Sequence, residues 1–246
     1  MFSKLTKKLS EIQAKTMPVS RSDCKYPIAC VLMAAGVASR YQQPDPALIV
    51  PEEPEEGKKK KKKVRRGTVK PDNKLTADFC GKPMLSWALE CLGELDCAAR
   101  IAVVREFETA ELIPEEVFRV VWNSGKDTAP AKTILYGLMA APEDVEGCLF
   151  AVGDQPLLTK ESVEKLCGTF MADPEKIVML SWEGQPGNPV IFPRSLFGEL
   201  MELRGEESGK AVVRRHPELV VLVEAVSAQE LRDIDTKAEL REAQAD

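Results

Sequence analysis

Histidine is the scarcest resource of this 246-residue chain, which has one, His216. That count excludes histidine-built zinc sites. It also argues against a Ser/His/Asp triad, because the base would have to come from a charged, helix-patterned stretch. The seven cysteines (Cys24, Cys30, Cys80, Cys91, Cys97, Cys148 and Cys167) form no CxxC pair, and most sit in apolar-patterned segments. They read as buried reduced thiols rather than a metal site or a disulfide framework. No apolar run approaches the ~20 residues that cross a bilayer, and the start MFSKLTKKLSEIQAKT has no secretory h-region, so a cytoplasmic protein without membrane partners is expected. GxGxxG and Walker loops are missing too: Ser124-Gly125-Lys126-Asp127 lacks the upstream glycine and the following Ser/Thr, and 205–211 has the wrong spacing. What remains for chemistry is carboxylates, cations, backbone amides and a bound metal.

The net charge of −5 conceals an asymmetry. Residues 1–27 hold six basic and two acidic side chains, residues 42–72 nine and six, so the rest of the chain carries −12. An acidic body is a poor nucleic-acid surface, and no nucleic-acid partner is expected.

Residues 1–27 form an N-terminal basic extension. Phe2, Leu5, Leu9 and Ile12 recur at helical spacing, which fits either a short amphipathic helix or a loosely attached extension, and Met17–Pro27 reads as linker. A domain spanning 28–246 opens with Ile28–Ala34, a continuous apolar run suited to a buried parallel strand. An insertion at 42–72 interrupts it, with five prolines, the cluster Glu52, Glu53, Glu55 and Glu56, then Lys58 to Lys63, Arg65 and Arg66. That composition cannot build a core and reads as a disordered, charge-mixed loop; a basic run like this can also serve as a nuclear address or as a patch for an acidic partner.

Beyond it, strand and helix patterns alternate. Helices are expected at Pro83–Leu95, Ala131–Ala140, Thr159–Met171 with Thr159 as N-cap, Ser195–Leu203, Gly209–His216, and from Thr236. Strands are expected at Ala99–Val104, Phe118–Trp122, Cys148–Val152, Ile177–Ser181, Pro189–Phe192 and Leu219–Val223. Such alternation implies an α/β, Rossmann-like fold, a mainly parallel sheet with helices on both faces, whose ligands bind at the carboxyl ends of strands.

Three segments belong at that edge. In Ala34-Ala35-Gly36-Val37-Ala38-Ser39-Arg40 small residues let backbone N–H groups approach an anion, and Arg40 adds a fork of donors; close packing alone would also use such a turn. In Gly153-Asp154-Gln155-Pro156 a carboxylate follows an apolar strand, either holding Mg²⁺ against phosphate oxygens or serving as a turn residue. Further on stand Gly184-Gln185-Pro186-Gly187-Asn188-Pro189-Val190, Gly205-Glu206-Glu207-Ser208-Gly209-Lys210 and Asp233-Ile234-Asp235-Thr236. The glycine-rich pair could simply join elements, and Asp235-Thr236 is either a helix cap or a second metal ligand.

In this order the segments resemble the MobA-like nucleotidyltransferases, and most closely the molybdenum cofactor cytidylyltransferases. AAGVASR, Asn73-Lys74-Leu75, Gly81-Lys82-Pro83, Asn123 with Thr133-Ile134-Leu135-Tyr136-Gly137-Leu138, GDQP, GNPV, GEESGK and DIDTKAEL carry the likeness, which spans Ile28–Leu240 apart from the insertion. The resemblance implies a GT-A-type nucleotidyltransferase that moves CMP from CTP to molybdopterin; the alternatives are a related enzyme using GTP or a sugar or polyol phosphate acceptor, and a catalytically silent module that binds or delivers the cofactor. Its product would pass to a molybdenum hydroxylase or its chaperone. Ala34, Ala35 and Gly36 would cradle the phosphates, with Leu32 and Asn123 also at the nucleotide. Arg40 and Lys74 would neutralise the triphosphate, Asp154 and Asp235 would hold Mg²⁺, and Gln155, Pro156, Gly187, Asn188 and Pro189 would shape the acceptor side.

An acceptor phosphate is already ionised near neutral pH, so in-line attack at the α-phosphorus needs no strong base; positioning and charge neutralisation remain. That suits a chain with one histidine. The sequence departs from the pattern at Gln42 (usually glycine), Thr133 (serine), Glu206 (aspartate) and Ala238 (proline). The insertion separates Arg40 from Lys74, so an outward bulge is expected, since such excursions cost little entropy when their ends stay close.

Overall fold

A computed structural model describes residues 24–36, 41, 73–124 and 129–245. Arg40, the extension up to residue 23 and the insertion 42–72 lie outside the described residues.

Strand β1 (Tyr26–Ala34) is followed by a 3-10 turn at Lys74–Thr76, a small hairpin of β2 (Asp78–Phe79) and β3 (Lys82–Pro83), and helix α1 (Met84–Gly93). Then come β4 (Cys97–Val104), a short α2 (Phe107–Ala110), β5 (Arg119–Trp122), α3 (Pro130–Ala140), β6 (Gly147–Val152) and α4 (Lys160–Ala172). The chain closes with β7 (Ile177–Trp182), β8 (Gln185–Pro193), α5 (Phe197–Glu202), α6 (Gly209–Arg215), β9 (Val220–Glu224) and α7 (Lys237–Ala245).

Seven strands form one sheet in the order β5-β4-β1-β6-β8-β7-β9. All pairings are parallel except those of β8, which runs antiparallel to both neighbours. Period-two alternation in β1 explains the layering: Ile28, Cys30, Leu32 and Ala34 enter one hydrophobic core with α1 and α4. Ala29 and Val31 enter the other, with α3, α5 and α6. A strand buried on both faces has no polar side to show, hence the continuous apolar run.

The expected elements are present, with shifted ends. Thr159 does cap α4, its hydroxyl accepting from the Ser162 N–H at 3.2 Å. The strand expected at Pro189–Phe192 starts earlier, at Gln185, because the turn is made by Glu183 and Gly184, both at positive φ. The β2–β3 hairpin and α2 had no legible pattern; at two and four residues they are too short for a period to register.

From β1 the chain steps outward to β4 and β5, then returns to place β6 on the other side of β1. The crevice over the carboxyl ends of β1 and β6 is thus the point where strand order reverses, the usual ligand position in such sheets.

Candidate active site

The loops leaving β1 and β6 flank that crevice. Met33 pairs with Val152, and the Gly153 N–H donates to the Met33 carbonyl at 3.2 Å. A side chain at Gly153 would crowd two leucines: a Cβ there would lie 2.8 Å from Leu85 and 3.3 Å from Leu75. Leu75 therefore packs directly on the start of the GDQP turn, and Lys74 arrives beside Asp154. A cleft of about 160 Å³ opens here, lined by residues that include Met33, Gly36, Lys74, Thr133, Gly153 and Asp154.

Lys74 is held from both sides. The Asn73 side chain accepts from the Leu75 N–H at 3.0 Å and donates to the Thr109 hydroxyl at 2.7 Å. The Lys74 ammonium donates to Asp154 Oδ2 and to Asp235 Oδ1 at 2.7 Å, joining positions 80 and 161 residues away in the chain. Burial works against this ammonium, but the Asp154 charge and hydrogen bond, reinforced by Asp235, keep its pKa above the ordinary lysine value.

Of the alternatives that the sequence left open, Thr236 takes the cap, and the Asp235 carboxylate meets the Lys74 ammonium. The Thr236 hydroxyl accepts from the Glu239 N–H at 3.1 Å, while Glu239 accepts from the N–H groups of Asp235 and Thr236, both at 2.8 Å. This reciprocal cap opens α7 and leaves the Asp235 carboxylate for Lys74. The segment is also tied down from below. The Ile234 N–H donates to the Asp154 carbonyl at 3.0 Å. The Gln155 amide donates to Asp233 Oδ1 at 2.9 Å and to the Leu231 carbonyl at 3.2 Å.

Asp233 was not singled out from the sequence, although the DID spacing puts it and Asp235 on one side of an extended segment. Its carboxyl is pushed above the usual aspartate range, by burial first and then by the charge of Asp154. Gly187 meets the same segment, since a Cβ there would fall 2.5 Å from Leu231 Cδ2. Because β8 is antiparallel, its first residues, among them Gly187, Asn188 and the buried Pro189, lie towards the carboxyl edge of β6.

Other residues fall elsewhere. The Leu32 side chain is in the core, and Met33 takes its place at the cleft. Ala34 and Ala35 are buried, whereas Gly36 is open, with nothing within 4 Å of where a Cβ would be. Pro156 is buried behind Asp154. Asn123 directly follows β5 at the same sheet edge, fully buried, with both side-chain polar atoms unpartnered among the described residues. Native proteins rarely leave such an amide orphaned, and one at a ligand-binding edge fits a group that completes its bonds on binding. Tyr41 places the Lys237 ammonium 5.6 Å from its ring centroid, so Tyr41 before 42–72 and Lys74, two residues past its end, both meet the segment Asp235–Lys237.

Two carboxylates sharing the Lys74 ammonium are oxygen donors of the kind that can hold a divalent cation together with substrate phosphates. Among the described residues no group of three or more His, Cys, Asp or Glu forms a closed metal cage.

A doubly covered α/β sheet with acidic residues at the point where its strand order reverses places the ligand site of this fold class there. Residues 64–220 match the MobA-like NTP transferase domain, and the chain belongs to that family. It is 34% identical over 116 residues to the bifunctional protein GlmU of Streptomyces coelicolor, a match covering 45% of this chain and 24% of that one, so the chain spans about a quarter of this curated relative. The fold is similar to that of a nucleotidyl transferase from Methanothermobacter thermautotroptrophicus (TM-score 0.67, 20% identity, 89% of this chain and 96% of that one). It is also similar to the molybdopterin-guanine dinucleotide biosynthesis protein A of Archaeoglobus fulgidus (0.59, 17%, 89% and 97%) and to Rv0371C of Mycobacterium tuberculosis, solved with manganese (0.60, 18%, 89% and 98%). No helix among the described residues is long and apolar enough to cross a membrane.

Proposed function

We propose that this nucleotidyltransferase moves CMP from CTP to the terminal phosphate of molybdopterin. The observation that carries the reading is the convergence of Asp154 and Asp235 on one cation beside the open Gly36 turn, at the point where strand order reverses. An acceptor phosphate oxygen forms a bond to the α-phosphorus, the bond from that phosphorus to the bridging oxygen breaks, and pyrophosphate leaves with the electron pair. Asp154 and Asp235 would hold magnesium, which supplies charge neutralisation for the phosphates when bound; the manganese complex of the structural neighbour is in keeping with this. Gly36 leaves room for phosphates to approach the backbone, Lys74 and Arg40 neutralise the triphosphate, and Asn123 gains partners at the nucleotide. The Gly187–Pro189 stretch borders the acceptor.

A GTP donor is the second reading, favoured by the likeness to the molybdopterin-guanine protein. A thermal-shift screen of CTP, GTP, ATP and UTP with Mg²⁺ separates the two, because a bound ligand stabilises in proportion to the logarithm of its concentration over Kd. Pyrophosphate release with molybdopterin present then tests the reaction. Asp154→Ala abolishes release if the metal assignment holds, and full turnover by that variant refutes it.

A further inference from the structure

Lys74 satisfies two aspartates that the proposed function reserves for a metal ion. Its ammonium binds Asp154 Oδ2 and Asp235 Oδ1, and Asp233 adds a third carboxyl to the same neighbourhood. Without a cation those groups would repel one another at close range in a partly desolvated site, so the free protein needs a positive charge there. The residue supplying it also lines the cleft, together with Gly36 and Asp154. Its backbone is fixed by the Asn73 cap and by Leu75 packed on Gly153. Its four-carbon stem is flexible, so the ammonium can leave the carboxylates and turn to a ligand in the cleft with no backbone movement.

Resting on the reading above, we propose that Lys74 is a built-in placeholder for the metal: it occupies the carboxylate pair in the free protein, and a divalent cation displaces it toward the triphosphate. The ammonium and the dication compete for the same two oxygens, so metal binds poorly alone. A triphosphate that receives the released ammonium removes the competitor. Metal and nucleotide consequently strengthen each other's binding by the same factor.

Uptake of Mn²⁺ by the full chain, followed by electron paramagnetic resonance without nucleotide, tests this directly. Lys74→Met removes the charge and keeps the stem; it takes up Mn²⁺ about tenfold or more tightly than the wild type, the scale of one close charge contact. Asp154→Asn loses uptake in both backgrounds. Acetylation of Lys74 in the unmutated protein, read by mass spectrometry, is slow without metal and accelerates with Mg²⁺; this arm decides if Lys74→Met does not fold. Asp154-dependent Mn²⁺ uptake no tighter in Lys74→Met than in wild type overturns the displacement and leaves the metal site standing. An acetylation rate indifferent to Mg²⁺ does the same. Uptake indifferent to Asp154→Asn removes the metal site itself, and the placeholder with it.

Discussion

The Lys74 ammonium lies 2.7 Å from Asp235 Oδ1, while Thr236, the next residue along, caps α7 and points its hydroxyl at the Glu239 N–H. Two adjacent side chains thus serve site and fold separately, and substitution separates them. Thr236→Ala costs about 1 kcal/mol of stability, the typical worth of an N-cap, and leaves most turnover. Asp235→Asn removes a charge at the cation position and lowers turnover by about a hundredfold or more, as expected for lost transition-state electrostatics. Urea melts and pyrophosphate release on both variants check this. Equal effects of the two on turnover would contradict it.

The unpartnered Asn123 amide makes its own prediction. A buried donor and acceptor left unmet cost about 1–3 kcal/mol, so replacement by an apolar group of similar shape is neutral or stabilising. Asn123→Leu keeps or raises Tm in the free protein, by about 2–4 °C at this size, and shrinks the thermal shift given by nucleotide with Mg²⁺. A variant that melts lower and still responds fully to nucleotide would show that Asn123 serves the fold alone.

Gly187 and Leu231 test how the acceptor side is connected to the carboxylates. A methyl at position 187 would be driven to 2.5 Å from Leu231 Cδ2, and Leu231 opens the segment that Gln155 ties down. Gly187→Ala is therefore destabilising by about 1–3 kcal/mol, the usual cost of overpacking. Adding Leu231→Ala removes the clashing atoms and recovers part of the loss. Strict additivity in a double-mutant cycle would refute the contact.

Cysteine chemistry gives a pH-dependent prediction. Burial raises the thiols of Cys30, Cys148 and Cys167, and carries Cys97 up to about 11. Unfolded thiols ionise first, so between about pH 9 and 11 the unfolded chain has released protons that the folded chain retains, and stability falls as pH rises through that window. Below pH 8 these groups leave stability flat. Urea melts at pH 7, 9 and 10.5 check the slope. With a thiol reagent at pH 8 the exposed Cys80 reacts in the folded protein, whereas these four react only after unfolding.

Strand and helix positions were legible because the double-sided sheet demands uninterrupted apolar strands, and the helices carry a regular period, as in β1 and α3. The family could be read from the order of motifs, and residues 64–220 match it. Less visible were features set by partners distant in sequence. Gln155 had no sequence mark as the tie to Asp233, and Asp233 none as a raised carboxyl.

Sequence alone determined which chemistry is possible: with one histidine and no phosphate-binding glycine motif of the common kinds, the chain had carboxylates and cations to work with, ordered along an α/β alternation. Only the tertiary structure decided that Lys74, Asp154 and Asp235 share one point and that Thr236 rather than Asp235 does the capping. Composition and period report on the next few residues, whereas electrostatic pairing depends on distance in space, which is fixed only when strands far apart in the chain become neighbours.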